Sequence, residues 1–454
     1  MSKILSDYYG TPPFSPAVYS SADHKDGPGF FRFGADVVCY GDCSSGVASA
    51  VQGVADFDAL KAVSLTGSEL RLPFDISDVI DNLRKEHYVR GLNSGRKKLA
   101  QHALIRNSYY FVRELMPVWF RRHLQRAYFK DWQNLAFPQW PVDFSTDLLH
   151  EAFLRLMMRA QGCDKVPFIW FWPDGAAGCT IMTHDVETAA GRDFSSSLMD
   201  IDLSHGFRTS FQVVPEKRYE VPESFVSEIR TRGFEFNVHD LNHDGHLFEE
   251  KDEFLRRAKK INEYVKKYKA HGFRAGAMYR NLDWYDAFEF SYDMSVPNVA
   301  HLEPQRGGCC TVMPFFVGKI LEIPLTTTQD YALFHFLNDY TIDLWKKQID
   351  LIRQRNGLVS FIAHPDYLIN RRCRRVYESL LAYLRQTVDR EGIWDTVPGE
   401  LNRWWRARRE MKLVEDKTGW RIEGPESERA CIAYATLAGD RIIYTRDKTS
   451  VGPR

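Results

Sequence analysis

No stretch of this chain approaches the roughly 18 consecutive apolar residues that suggest a membrane span. The opening segment, 1–10, also lacks the basic stretch and apolar run of a secretory leader. These absences lead us to expect a cytoplasmic protein without an integral membrane segment. Net charge is missing as well: 60 basic residues stand against 60 acidic ones, so no global field recruits nucleic acid and recognition must be local. The eight cysteines are irregularly spaced and make no disulfide framework. Cys39 with Cys43, and the adjacent Cys309 and Cys310, each lack a second pair at zinc-site spacing, and most of the eight read as buried thiols. No internal repeat or low-complexity tract is visible. What remains is a 454-residue chain with 44% hydrophobic content, too long for one ordinary domain and rich enough for a sizeable core in two or three.

Four regions follow from the patterning. Residues 1–56, rich in Gly, Ser, Pro and Tyr, read as an irregular arm. Residues 57–161 form a helical accessory region, with apolar residues three and four apart over 76–89, 109–129 and 146–160 and a proline-rich break at 137–141. Residues 162–410 alternate short apolar runs with amphipathic helices, the pattern of β-α units around a largely parallel sheet. The expected strands lie at 168–172, 179–184, 208–214, 234–238, 273–277, 320–325 and 358–363. Pro222 starts a helix that Gly233 ends, and Asn356-Gly357 closes another over 339–355. About seven strands suit an α/β fold built as a distorted (β/α) barrel better than a complete eightfold one. Residues 411–454 alternate like antiparallel strands and form a small β-rich C-terminal appendage.

In parallel α/β architectures, functional side chains gather at the carboxyl ends of strands. The polar outliers of this chain fall there. Asp185 and Glu187 follow an apolar run and, two residues apart in extended chain, project from one face. Two such acids repel unless a cation or proton lies between them; acids in a helix first turn are the alternative reading. His239 and His243 follow the run at 234–238 and meet on one face if a helical turn has begun. With one carboxylate they suit a divalent-metal site, a chance pairing among the 14 histidines being the alternative, which their place on the strand after the Asp-x-Glu unit weighs against. His246 lies off that face, on the surface or behind the site. Arg274, between small residues in Gly272-Phe273-Arg274-Ala275-Gly276, reads either as a brace for an acid or as an exposed turn arginine. His364 ends the last apolar strand before Pro365, as a general acid or as a packed histidine.

In order and content, the Asp-bearing strand end, His-x3-His, Gly-Phe-Arg-Ala and the late strand ending in His resemble the motifs of the polysaccharide deacetylase (NodB-homology, carbohydrate esterase family four-like) proteins. The resemblance covers about 167–394. It implies a distorted (β/α) barrel holding one divalent cation, zinc or else cobalt, nickel or manganese. By position the ligands are His239, His243 and one acid. Where the family's first motif has adjacent aspartates, this chain has Val186 in the second place; by analogy Asp185 is the base and Glu187 the ligand, the reverse remaining open. Arg274 matches the arginine bracing the base, and His364 the late histidine serving as general acid. Glu322 and Asp330 both lie near the blurred fourth motif, and the acid paired with His364 is left undecided.

The expected reaction is amide hydrolysis by metal-activated water, removing N-acetyl groups from an amino sugar or glycan. Hydrolysis of another small amide or cyclic imide, as in allantoinase-like and imidase-like enzymes, is the alternative; a non-catalytic carbohydrate-binding relative is a third. Trp284, Tyr285 and Tyr331 read either as sugar-stacking rings or as core.

Overall fold

The apolar run that precedes the acid pair forms the strand Cys179–Val186 (β1), buried at every position. Burial on both faces explains why this strand, in which Thr180, Thr183, His184 and Asp185 stand among apolar residues, shows no regular apolar–polar alternation. The computed structural model describes residues 2–15, 17–20, 27–44, 57–67, 69–92, 132–417 and 419–447. The chain divides into two compact units, one made of 1–91, 144–179 and 403–454, the other of 92–143 and 180–402.

The second unit carries the rest of the main sheet: Ser210–Val213 (β2), Glu235–His239 (β3), Gly272–Arg274 (β4), Tyr292–Asp293 (β5), Phe315–Val317 (β6), Ile320–Glu322 (β7), Leu358–Ile362 (β8) and Trp394–Asp395 (β9). Their order is β6-β7-β5-β4-β3-β2-β1-β8, with β9 also on β1. The pairs from β1 through β5, and β5 with β7, run parallel, while β6 and β7 form an antiparallel hairpin. Helices alternate with the early strands: Ala189–Ser204 (α1), Glu223–Thr231 (α2) and Lys251–Lys267 (α3). In α3 the buried residues Phe254, Ala258, Ile261 and Val265 recur at three and four, one stripe facing the core. Thr188 caps α1 by accepting from Gly191 N.

The sheet is curled as a half-barrel. Beyond β7, Thr326 Oγ1 donates to Leu358 O at 2.7 Å, Thr327 Oγ1 donates to Ser360 O at 2.7 Å, and Thr327 N donates to the same oxygen at 3.2 Å. The chain leaving one end of the strand order is thereby tied to β8 at the other.

Register stacks the inward side chains in layers. Asp185 lies level with Gln212, and Gln212 with Asn237. One layer further along, His239 lies level with Arg274. Because side chains alternate with period two, a one-residue slip of any strand would carry its polar residue to the opposite face.

The strand expected at 168–172 corrects the sequence reading. Lys165–Ile169 pairs with Ile432–Ala438 in a separate sheet of the first unit and contributes nothing to the curled one. A short apolar run is compatible with any buried strand, and nothing local selects its partner. Strands β5, β6 and β9 were not anticipated, since two or three residues carry no readable period. The arm expected to be irregular instead contains the helix Ser2–Tyr9 and strands Ala17–Ser20, Gly29–Arg32 and Val38–Gly41. Buried Phe30, Phe31 and Tyr40 supply cohesion that glycine and serine obscure. The helical pattern at 76–89 becomes two helices, Ile76–Arg84 and His87–Leu92, parted at Glu86, whose φ is 59°. The helix expected at 109–129 lies outside the described residues. Ser145–Gln161 forms the helix expected at 146–160. Among the described residues, no helix is long and apolar enough to cross a membrane, and no disulfide joins the cysteines.

Candidate active site

The end of β1 delivers Asp185 into the interior, where the residue is 3% exposed. Arg274, at the end of β4 and itself fully buried, donates from Nη1 to Asp185 Oδ1 at 2.6 Å and to Thr183 Oγ1 at 2.8 Å. Its Nε donates to Met294 O at 2.9 Å, which fixes the guanidinium from behind. The exposed-turn reading of Arg274 is thereby corrected. Burial works against the Asp185 charge, but Arg274 with the His239 and His364 rings outweighs it and lowers the carboxyl below its ordinary value. The glycines flanking this arginine permit close packing. A Cβ on Gly276 would meet the Asp240 carboxylate and come within 3.1 Å of His243 Cδ2, and one on Gly272 would run into the Tyr292 ring.

His239 ends β3 and His243 lies four residues on, but no helical turn joins them. The chain between passes through left-handed backbone at Asp240 (φ 56°) and His243 (φ 54°), a loop that folds back until the ring centroids are 4.8 Å apart. Spacing four was therefore informative for a different geometric reason than the one expected. His243 Nε2 is 2.9 Å from Glu187 Oε1, and His239 Nε2 is 3.8 Å from Asp185 Oδ2. Ligand-capable atoms of Glu187, His239 and His243 all lie within 4.8 Å of one another. Both Nε2 atoms are buried and neither makes a hydrogen bond; at His243 the 2.9 Å approach is one of distance without alignment. Two buried, unsatisfied imidazole nitrogens beside a carboxylate are a donor set that fits a divalent cation such as zinc. Burial pulls the His239 ring down to about 4, which leaves it neutral. For His243, burial opposes the charge and Glu187 favours it, the balance lying above the ordinary histidine value despite nearby Arg218. Glu187, held well below the usual carboxylate range against burial by His243 and His364, has its backbone N–H 3.4 Å from Asp366 Oδ2.

On the other side stands His364, at the end of β8. Its Nδ1 donates to Asp330 Oδ1 at 2.6 Å and its backbone N–H to Asp330 Oδ2 at 2.8 Å, while Nε2 lies 3.6 Å from Glu187 Oε1. Burial opposes a charge on this ring, yet Asp330 and Glu187 together raise it well above the ordinary histidine value. Glu322, the other acid near the fourth motif, is engaged elsewhere, accepting from Val296 N at 2.9 Å.

Of the three aromatics singled out, Trp284 and Tyr285 pack among Phe248, Phe254 and Phe288, and Tyr285 donates to Asp293. Tyr331 instead stacks on Tyr367 at 5.6 Å, and Tyr367 lies 5.1 Å from His364. His246 turns away to Glu249, 2.6 Å from it. Asp330, one of the two acids noted near the fourth motif, sits 34 positions before its histidine, whereas Arg218 carried no local signal and reaches His243 across 25 positions from a loop with no motif.

No protein-family model matches the chain, and no curated protein matches it in sequence. Among solved structures it is similar to a Mycobacterium smegmatis protein provisionally named a polysaccharide deacetylase, at 16% identity over 52% of this chain and 93% of that one, with a TM-score of 0.42. It is similar to Puue allantoinase at 11% identity over 52% and 92% of the two chains, TM-score 0.41. It is also similar to the peptidoglycan deacetylase PdaC of Bacillus subtilis at 12% identity over 52% and 95%, TM-score 0.32.

Proposed function

We propose that this chain is a metal-dependent hydrolase of carbon–nitrogen bonds that removes N-acetyl groups from an amino sugar or glycan. The observation that carries the reading is the convergence of Glu187, His239 and His243, with two buried proton-transfer groups of opposite tuning beside them. A divalent cation, zinc by the match to two imidazoles and a carboxylate, supplies Lewis acidity that acidifies water and stabilises charge developing on a carbonyl oxygen.

The chain's own side chains do the rest. Asp185, kept ionised by Arg274, is the acceptor for the proton of the attacking water. Arg274 also keeps that carboxylate pointed inward, since its guanidinium is anchored at three oxygens. His364, kept charged by Asp330, donates a proton to the departing nitrogen as the carbon–nitrogen bond breaks. The products are a carboxylate and a free amine.

The test is direct. The zinc-loaded chain is expected to release acetate from an N-acetylated amino-sugar oligomer; ring opening of a cyclic imide without acetate release would move the activity to the imidase class. Zinc at about a hundred times its Kd is expected to stabilise the fold by about 2.7 kcal/mol, and His243→Ala to abolish that gain without unfolding the chain. A parent protein that neither retains metal nor gains thermal stability from it would end the hydrolase reading.

A further inference from the structure

We propose that Arg218 is a brake on metal loading: it holds His243 in the tautomer that cannot ligate through Nε2, while His239 is held in the one that can. The proposal rests on the metal reading above and deepens it.

The two rings differ in what sits on Nδ1. At His239, Nδ1 lies 3.0 Å from the carbonyl oxygen of Arg274. A carbonyl only accepts, so Nδ1 carries the proton and Nε2 keeps its lone pair. That Nε2, buried and without a hydrogen-bond partner, is ready for a cation.

At His243 the equivalent position is taken by Arg218. Its Nη2 donates to His243 Nδ1 at 3.3 Å and to the His243 carbonyl oxygen at 2.8 Å. A guanidinium has only donors, so while this contact stands Nδ1 must accept, and the proton of the ring sits on Nε2, the side that faces Glu187. That is the atom 2.9 Å from Glu187 Oε1. A protonated nitrogen has no lone pair to give. Loading a cation therefore needs the proton moved from Nε2 to Nδ1 and the contact with Arg218 surrendered. Ligating histidines ordinarily hand their second N–H to a carboxylate, a carbonyl or water. Here a fixed positive charge stands in that place and repels the incoming cation as well.

Arg218 is delivered by structure. The loop after β2 is latched to the end of β1, where Tyr219 OH donates to Val186 O at 2.5 Å and accepts from Val214 N at 3.0 Å. Within the loop, Arg218 N donates to Glu216 O at 2.8 Å. The side chain is half-buried, and its two contacts to His243 set its position against the ring.

The experiment measures zinc affinity of the full chain by competition with a chelator for the parent, Arg218→Met and Arg218→Gln. Methionine removes donor and charge, and glutamine can turn its carbonyl oxygen toward a protonated Nδ1. Both variants are expected to bind zinc roughly ten- to a hundredfold more tightly, the range over which partners of ligating histidines tune affinity. Independently, nitrogen-15 spectra of the histidine-labelled, zinc-free parent, assigned with His243→Gln, are expected to show Nε2–H at His243 and Nδ1–H at His239. Unchanged or weaker zinc binding in both variants, or Nδ1–H at His243 in the parent, overturns the role of Arg218 and leaves the hydrolase reading standing. Zinc binding by none of the three forms removes the metal reading, and this proposal with it.

Discussion

Two buried ionisable side chains, Asp185 and His364, are tuned in opposite directions, and each owes its state to a partner remote in sequence. For His364 that partner is Asp330, engaged at both its ring and its backbone. Asp330→Asn removes the charge that keeps the imidazolium favoured, so the ring loses its proton at lower pH. If His364 acts as the protonated acid, the fall of kcat on the alkaline side is expected to begin at lower pH in the variant, with zinc content unchanged. Superimposable pH profiles would show that Asp330 only positions the ring. Six of the residues brought together here were legible because each is a polar outlier at the end of an apolar run: Asp185, Glu187, His239, His243, Arg274 and His364. Asp330 was visible only as one of two acids in a neighbourhood, and Arg218 not at all, because a single charged residue in a polar loop has no local contrast.

Strands and loops set where those side chains meet. The three-residue strand β4 can lie against β5 only because Gly272 has no side chain to strike Tyr292. Gly272→Ala forces the ring or the strand to shift and is expected to destabilise the fold by about 1–3 kcal/mol, measured as a lowered urea midpoint. Equal midpoints would mean that Tyr292 moves freely, against its hydrogen bonds to Asn237 and Glu235. The histidine pair shows how spacing can be read correctly and its geometry wrongly. A helix and a loop with two left-handed residues both bring positions four apart together, and no residue between His239 and His243 is a glycine that would have announced the loop.

At the scale of the whole molecule, stability should depend on groups far from the chemistry. Asp395, on β9, is raised from 3.8 to about 7 by burial, which its 3.2 Å pairing with Arg385 only partly offsets. Unfolded, this carboxyl ionises near 3.8, so between the two values the folded chain holds a proton that the unfolded chain has released. Its contribution to stability is full below 3.8 and is lost as pH rises through about 7. Asp395→Asn is expected to flatten the decline of the melting temperature between about pH 4 and about pH 8; parallel curves for variant and parent would rule this out. What the sequence determined alone was the kind of the longer elements in the barrel region, the two- and three-residue strands at 292–293, 315–317 and 394–395 excepted, and the chemical types at its strand ends. Both follow from periodicity and contrast over a few residues. Only the tertiary structure decided that 165–169 pairs with a C-terminal strand, that Asp330 rather than Glu322 holds His364, and which group faces Nδ1 of each imidazole. Those outcomes depend on hydrogen-bond partners dozens to hundreds of residues apart, and no local pattern encodes which distant donor will meet which acceptor.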